Sequence, residues 1–210
     1  MATAQELIPD RPSLTSLRKA AADCRACPLW RLGTQTVFGS GAASASLMLV
    51  GEQPGDREDL AGEPFVGPAG GILQTAMEDA GIDPDDTYVT NVVKHFKWKA
   101  GRGKRRLHQR PNSEEIGACR PWLDSELSVV RPEVVVCLGA TAAKALLGSK
   151  VRVTRDRGRF LDADFAPLVT VTIHPSSILR IPEEDDRREA RQEFTADLRL
   201  VACRLNGTSA

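Results

Sequence analysis

The sequence predicts an α/β protein of three layers, α/β/α, with helices on both faces of a central, mainly parallel four-stranded sheet. Three observations carry this. Four short apolar runs, rich in valine and leucine, alternate with stretches of helical periodicity, as a parallel sheet requires because each crossover is a helix. Each run halts at a glycine or a polar residue, at Gly51, Asn91, Gly139 and His174. The chain of 210 residues has no internal repeat or compositional break, which suits a single domain over 1–210.

Residues 1–12 read as a loose arm. Residues 13–23 form a short helix leading into Cys24-Arg25-Ala26-Cys27-Pro28. The first strand covers 47–50. Residues 70–80 are helical, with Ile72, Leu73, Ala76 and Met77 on one side and Gly81 as the stop. The second strand runs over 87–93 and ends near Asn91. Residues 94–112 contain Gly101, Gly103, Pro111 and little periodicity, and read as a long loop. Asn112 and Glu115 suit a capping box opening a helix toward Val129. The third strand, 133–138, closes at Gly139 and precedes a short helix over 140–147. A hairpin-like piece is expected within 151–161. The fourth strand, 168–173, ends at His174. Residues 184–205 form a long amphipathic helix with Phe194, Leu198, Val201 and Leu205 on one side.

Formal net charge is +0, so no global basic field advertises nucleic acid. The charge is unevenly placed: from Thr87 to Ser113 there is no acid, while Lys94, Lys97, Lys99, Arg102, Lys104, Arg105, Arg106 and Arg110 fall inside. No apolar stretch approaches bilayer length, and the N-terminus lacks a basic-then-apolar signal pattern. The expectation is a soluble monomer of the cytoplasm, at the nucleoid when on DNA, with no membrane partner. Five cysteines are an odd number, and a reducing compartment argues against disulfides.

The most informative stretch is Leu47-Met48-Leu49-Val50-Gly51-Glu52-Gln53-Pro54-Gly55-Asp56. A buried strand stops at a glycine, and a polar, kinked loop follows. The chain then runs through Glu63-Pro64-Phe65-Val66-Gly67-Pro68-Ala69-Gly70 into a helix. Open α/β sheets place ligand crevices at the carboxyl ends of strands. Together with His174-Pro175-Ser176-Ser177 after the fourth strand, these motifs resemble the site of the family 4 uracil-DNA glycosylases, and the resemblance extends from Cys24 to Arg180. It implies a glycosylase fold, excision of uracil, and uracil-containing DNA, single- or double-stranded, as partner.

Under this resemblance each pocket residue acquires a role. The Asn91 amide can accept from uracil N3–H and donate to O4, an order that cytosine reverses; alone, a strand-end Asn is a turn residue. Phe65 can stack on an extruded base; its plain role is a core plug. His174 can hydrogen-bond uracil O2 and stabilise charge on the leaving base, or serve structurally. Ser176 and Ser177 suit capping of the next turn and phosphate contact. Arg180 contacts DNA or closes over the site. Gln53 and Asp56 join the substrate pocket, Asp56 in water positioning or pocket shape.

Cys24 and Cys27 form a C-x-x-C, a spacing that lets two sulfurs reach one metal centre and that otherwise marks a redox pair or chance. The family resembled here holds a [4Fe–4S] cluster with four cysteines. By that match the ligands are Cys24, Cys27, His95 and Cys119, with His95 standing where the family has its third cysteine. Imidazole is an accepted iron ligand in Rieske centres. Zinc on the same ligands is the alternative. Cys137 and Cys203 read as structural.

The segment Lys104-Arg105-Arg106-Leu107-His108-Gln109-Arg110-Pro111 departs from ordinary family 4 members. It resembles the extra loop of the UdgX subgroup, as does Gln53 where family 4 has alanine. In that subgroup the loop histidine becomes bonded to the sugar after uracil leaves, and the match gives that role to His108. The chemistry stands independently. Loss of the base leaves an electron-poor C1′, and an imidazole held closer than water competes for it. Such an adduct has no easy departure route, so each molecule reacts once. Glu52 can accept from the other ring nitrogen and orient the attack. His108, Glu52 and His174 are thus the expected catalytic residues. Lys104, Arg105, Arg106, Arg110 and Ser177 are expected on the DNA backbone, with salt-sensitive binding. The rivals are a turnover glycosylase whose His108 only binds phosphate, and a non-enzymatic iron–sulfur protein that recognises damaged DNA.

Overall fold

The computed structural model describes residues 3–207; Met1 and Ala2 of the expected arm, and residues 208–210, lie outside the described residues. In chain order the elements are α1 (Leu14–Ala21), β1 (Leu47–Gly51), α2 (Asp56–Ala61), α3 (Pro68–Ala80), β2 (Thr87–Asn91), β3 (Trp98–Ala100), β4 (Arg106–His108), α4 (Ser113–Val130), β5 (Val134–Leu138), α5 (Ala140–Leu147), α6 (Val153–Asp156), β6 (Phe160–Leu161), β7 (Leu168–Thr172), α7 (Pro175–Ile178) and α8 (Glu184–Leu205). The α4 start is the capping box its sequence predicts: the Asn112 side chain accepts from Glu115 N at 2.8 Å, and Glu115 Oε2 accepts from Asn112 N at 2.8 Å. Among the described residues no helix is long and apolar enough to cross a membrane.

The main sheet runs β2-β1-β5-β7-β6, parallel except for the β6–β7 pair. Alternation along each strand divides the core. Met48, Val50, Tyr88, Val135, Cys137, Val169 and Val171 point to one face and pack with Leu17 of α1 and Trp122 and Leu123 of α4. Leu47, Leu49, Val134, Val136 and Leu138 point to the other and pack with Leu73 and Met77 of α3 and Phe194, Leu198 and Val201 of α8. Both faces are covered, so β1 and β5 are buried at every position. Strand order reverses between β1 and β5, and such a switch point opens a crevice at the carboxyl ends of the strands.

The architecture is the predicted α/β/α, with four parallel strands and one addition. The piece expected as a hairpin within 151–161 is the turn of α6 followed by β6, which pairs forward with β7 through Phe160↔Thr170 and Leu161↔Val169. Two residues are too few to show an alternation. The long loop expected over 94–112 contains the antiparallel β3–β4 hairpin, with Trp98 opposite His108. The arm expected over 1–12 is not loose where it is described: Ala4 is fully buried in the core under α4.

A buried ion pair lies between β2 and α4. Lys94 Nζ meets Glu126 Oε2 at 2.5 Å, with both side chains essentially inaccessible. Every ammonium proton has an acceptor, the others being Thr90 Oγ1 at 2.6 Å and the Asn91 carbonyl at 2.8 Å. Glu126 is saturated in turn by Tyr88 OH, Thr90 Oγ1 and the Gly39 N–H. Burial and the Glu126 charge push the Tyr88 hydroxyl's pKa upward, so it stays a donor. Such a pair is close to neutral in sum, but removing one member strands a charge. Lys94→Met is therefore expected to cost about 3–5 kcal/mol in denaturant unfolding, with much of it recovered in Lys94→Met/Glu126→Leu. A loss below about 1 kcal/mol, the scale of an exposed pair, would contradict this.

Candidate active site

A cavity of about 430 Å³ opens at the switch point. All four parallel strands feed it: Glu52 follows β1, Asn91 ends β2, Gly139 follows β5 and His174 follows β7. The chain packs tightly at its floor. A Cβ at Gly51 would lie 2.3 Å from Asn91 Oδ1 and 2.8 Å from Phe65 Cζ, so only glycine lets both side chains reach the cavity. Asn91 is 3% exposed. Phe65 adopts φ +57°, a left-handed conformation that an aromatic residue holds only when its surroundings enforce it. Gly70 leaves room for it, since a Cβ there would sit 1.6 Å from the Phe65 carbonyl oxygen. Glu58 Oε1 accepts from Gly67 N at 2.8 Å and closes the same loop.

The Phe65 ring stacks on His174, with centroids 6.2 Å apart and planes at 26°. His174 is the N-cap of α7, and its Nδ1 accepts from the Ser176 N–H at 3.1 Å, with Ser176 Oγ at 2.8 Å. A ring nitrogen that accepts carries no proton, so His174 is the Nε2–H tautomer. Burial lowers its pKa to about 4, with Glu52 opposing and Arg180 and His108 reinforcing. His174 thus presents a neutral N–H donor. The Ser177 hydroxyl donates back to the His174 carbonyl at 2.7 Å, which turns it away from the expected phosphate contact.

Opposite stands the hairpin. His108 Nε2 lies 3.2 Å from Glu52 Oε1, and its side chain is 49% exposed at the cavity mouth. The other Glu52 oxygen accepts from the Thr141 hydroxyl at the start of α5 and lies 3.4 Å from Arg110 Nε. Burial raises the Glu52 carboxyl, but hydrogen bonds from His108 and Thr141 and the charges of His108 and Arg110 outweigh it, and the net direction is down. Glu52 is therefore an anion with both oxygens engaged.

Three side chains hold the hairpin. Gln53 donates from Nε2 to the Lys97 and Gln109 carbonyls at 3.2 and 3.1 Å and accepts from Lys97 N at 3.2 Å. Its amide is thus spent on the hairpin base, although sequence reasoning placed it on substrate. Arg106, expected on DNA phosphate, turns inward. It pairs with Asp56 Oδ1 at 2.6 Å and with the buried Asp59 Oδ2 at 2.5 Å, and lies over Phe96 and Trp98. Asp56, expected in the pocket, is this anchor and does not line the cavity. Trp98 Nε1 donates to the Leu32 carbonyl at 2.7 Å and pins the hairpin from behind. Lys104 and Arg105 are exposed on the segment joining β3 to β4, and Arg110 and Arg180 are exposed at the cavity rim.

Cys24, Cys27 and Cys119 are buried thiols in one core cluster. The Trp122 Nε1–H donates to Cys24 Sγ and the Lys94 N–H to Cys119 Sγ, each at 3.3 Å. Burial raises the Cys119 thiol to about 12, against the Lys94 charge and N–H. His95 is buried, and its Nε2 lies 3.0 Å from Thr36 Oγ1. Burial lowers its pKa to about 4, with Asp59 opposing. Among the described residues no three His, Cys, Asp or Glu side chains converge on a point one ion could occupy, which departs from the mononuclear zinc alternative.

Of the expected site residues, the structure gathers Glu52, Gln53, Phe65, Asn91, His108, Arg110, His174, Ser176 and Arg180 around the cavity. It places Asp56, Arg106 and Ser177 in supporting contacts and Lys104 and Arg105 on the outer hairpin. Glu58 and Thr141 line the cavity without having been predicted. Thr141 sits two residues after a strand-ending glycine, the one local signal that marks it.

The tautomer of His174 can be read directly. Spectra of ¹⁵N-labelled histidine should show a neutral Nε2–H ring at residue 174 throughout about pH 5 to 8, whereas an unperturbed ring protonates near about 6.5. Since the unfolded chain takes up that proton first, His174 should withdraw stability as pH falls from about 6.5 toward 4. A half-protonated ring near pH 6.5 would contradict the assignment.

Residues 38–199 match the family described as the uracil DNA glycosylase superfamily. The type-4 uracil-DNA glycosylase of Thermotoga maritima is 37% identical over 166 residues, covering 79% of this chain and 82% of the relative. That of Pyrobaculum aerophilum is 33% identical over 194 residues, covering 89% and 92%. Among solved structures, wild-type SMUG2 of Pedobacter heparinus superposes with a TM-score of 0.56 at 13% identity, over 79% of this chain and 77% of that one, which bears on the fold. With a family match across most of its length and a strand-end crevice built from the matched segment, the chain belongs to the uracil-DNA glycosylase superfamily.

Proposed function

We propose that this chain excises uracil from DNA and then stays bonded to the abasic sugar through His108. The observation that carries this is His108 Nε2 at 3.2 Å from Glu52 Oε1, at the mouth of the cavity whose floor is Asn91. The relatives named as uracil-DNA glycosylases support the first half of the reaction. The hairpin supports the second.

An extruded uracil enters between Phe65 and the cavity wall, and the Asn91 amide reads its N3–H and O4 edge. The C1′–N1 bond breaks with its electron pair leaving on the base. The neutral His174 Nε2–H donates to uracil O2 and stabilises that charge. The Glu52 carboxylate faces the electron-poor C1′. With Nε2 of His108 3.2 Å from the Glu52 carboxylate, this reading puts the hydrogen on Nε2 and the lone pair on the second ring nitrogen. That nitrogen adds to C1′, and the Nε2 proton passes to Glu52, so the ring ends neutral and the sugar is an N-alkylimidazole. Lys104 and Arg105, exposed on the hairpin, and Arg110 and Arg180, exposed at the rim, would meet the phosphates in this reading.

The reading includes a [4Fe–4S] cluster on Cys24, Cys27, Cys119 and His95. Three buried thiols with N–H donors on two sulfurs fit it, since a cluster's ligands bind separate irons and need not share one point. When bound, the group would supply a cross-link among the N-terminal turn, the residues after β2, and α4. The residues themselves fix the end of β2, and with it Asn91.

A denaturing gel of protein mixed with uracil-containing DNA should show a slow-migrating species, absent in His108→Ser. Free abasic DNA in excess over protein, with no such species, would mark a turnover enzyme instead. Thr141→Val should slow adduct formation about tenfold or more, because a hydrogen bond to a charged group is worth roughly 1.5–3 kcal/mol, and Thr141→Ser should restore it. An unchanged rate in Thr141→Val would remove Thr141 from the account.

A further inference from the structure

We infer that Arg25 and Arg31, gathered on the Trp30 ring, form a phosphate subsite for the DNA strand beyond the reacting nucleotide. The inference rests on the proposal that this chain acts on DNA. It adds a contact on the N-terminal turn, outside the hairpin and the cavity rim.

The pair is built on one turn. Pro28–Arg31 is a single 3₁₀ turn, and Trp30 stands on it half-buried. The guanidinium carbon of Arg25 lies 4.8 Å from the indole ring centre and that of Arg31 lies 5.3 Å from it, both within cation–π range. One ring thus holds two exposed cations, whose like charges repel unless an anion joins them. Other arginines of this chain are spent on carboxylates: Arg106, Arg120 and Arg155 pair at 2.5 to 2.7 Å. Among the described residues no carboxylate lies within ion-pair reach of Arg25 or Arg31, and the sequence has no acid from Cys24 to Gly51. Two planar forks with unspent N–H donors suit phosphate oxygens, which a guanidinium can take in pairs.

The turn adjoins the cavity mouth by way of the hairpin. Trp98 stands opposite His108 across the β3–β4 pair, and its Nε1 donates to the Leu32 carbonyl at 2.7 Å. Leu32 directly follows Arg31, and its N–H closes the turn on the Leu29 carbonyl at 3.0 Å. A strand whose reacting sugar sits at His108 therefore meets this turn when it continues across the hairpin. Lys99, Arg102, Lys104 and Arg105 are exposed on that hairpin and carry the same sign. Helix α8 packs on the other face of the sheet and opens with Glu184, Asp185 and Asp186. Charge complementarity to a polyanion thus favours the side of the hairpin and the turn.

The test is fluorescence anisotropy of the full chain with labelled single-stranded DNA that lacks uracil, so that no reaction intervenes, titrated over a range of salt. Each phosphate contact on a single strand adds about 0.7 to the slope of log K against log salt. Arg25→Ala/Arg31→Ala should therefore flatten that slope by about 1.4, and Arg25→Lys/Arg31→Lys should keep it. Arg188→Ala/Arg191→Ala, which removes the same charge from α8, should leave the slope as in the parent. Uracil release at saturating protein should be unchanged in the Arg25→Ala/Arg31→Ala protein, because neither side chain reaches the reacting atoms. An unaltered slope in that protein, or an equal flattening in the α8 pair, would overturn the inference while leaving DNA as the substrate. A parent chain that binds no DNA at any salt would overturn the DNA reading, and the inference with it.

Discussion

Glu52 leaves β1 at the switch point, and its two oxygens are taken by different elements. One faces the His108 ring on β4, the other the Thr141 hydroxyl at the start of α5, with Arg110 close by. These contacts hold the carboxyl below its usual range despite burial. One anion at the cavity mouth thereby joins the sheet, the hairpin and a helix. It gives the hairpin imidazole a fixed direction relative to the pocket floor. Without it, His108 would be a half-exposed side chain on a surface ribbon.

The hairpin is held far more firmly than a basic surface loop. Gln53 uses its whole amide on the hairpin base. Arg106 satisfies the fully buried Asp59 and the half-exposed Asp56 while lying over Phe96 and Trp98. A guanidinium suits this because its planar fork can serve two carboxylates and an aromatic face at once. Preorganisation of this kind is what an attack in competition with water needs, since effective concentration falls steeply when the nucleophile wanders. The basic charge left for DNA is correspondingly smaller than the sequence suggests.

The fold was legible because its signals are local. Short apolar runs punctuated at Gly51, Asn91, Gly139 and His174 mark strand ends, and strand ends mark the crevice. Asn112 and Glu115 announce their own capping box. What was not legible depends on contacts between residues distant in sequence. Lys104 through Arg110 reads as one block of charge, and only the fold separates the inward Arg106 from the outward Lys104 and Arg105. Asp56 stands beside the pocket motif in sequence yet faces the hairpin. Thr141 and Glu58 carry no pattern of their own, since their importance lies in a partner 89 and 9 residues away respectively. The β3–β4 hairpin escaped because three-residue strands without alternation look like loop.

The central claim is that one imidazole lies within bonding reach of the anomeric carbon once the base has gone. Peptide mapping by mass spectrometry, after reaction with uracil-containing DNA and exhaustive nuclease digestion, tests it most directly. The account predicts a deoxyribose phosphate remnant on the peptide containing residue 108, with fragment ions assigning it to the histidine ring. An unmodified peptide at full uracil release, or a remnant on another residue, would contradict it.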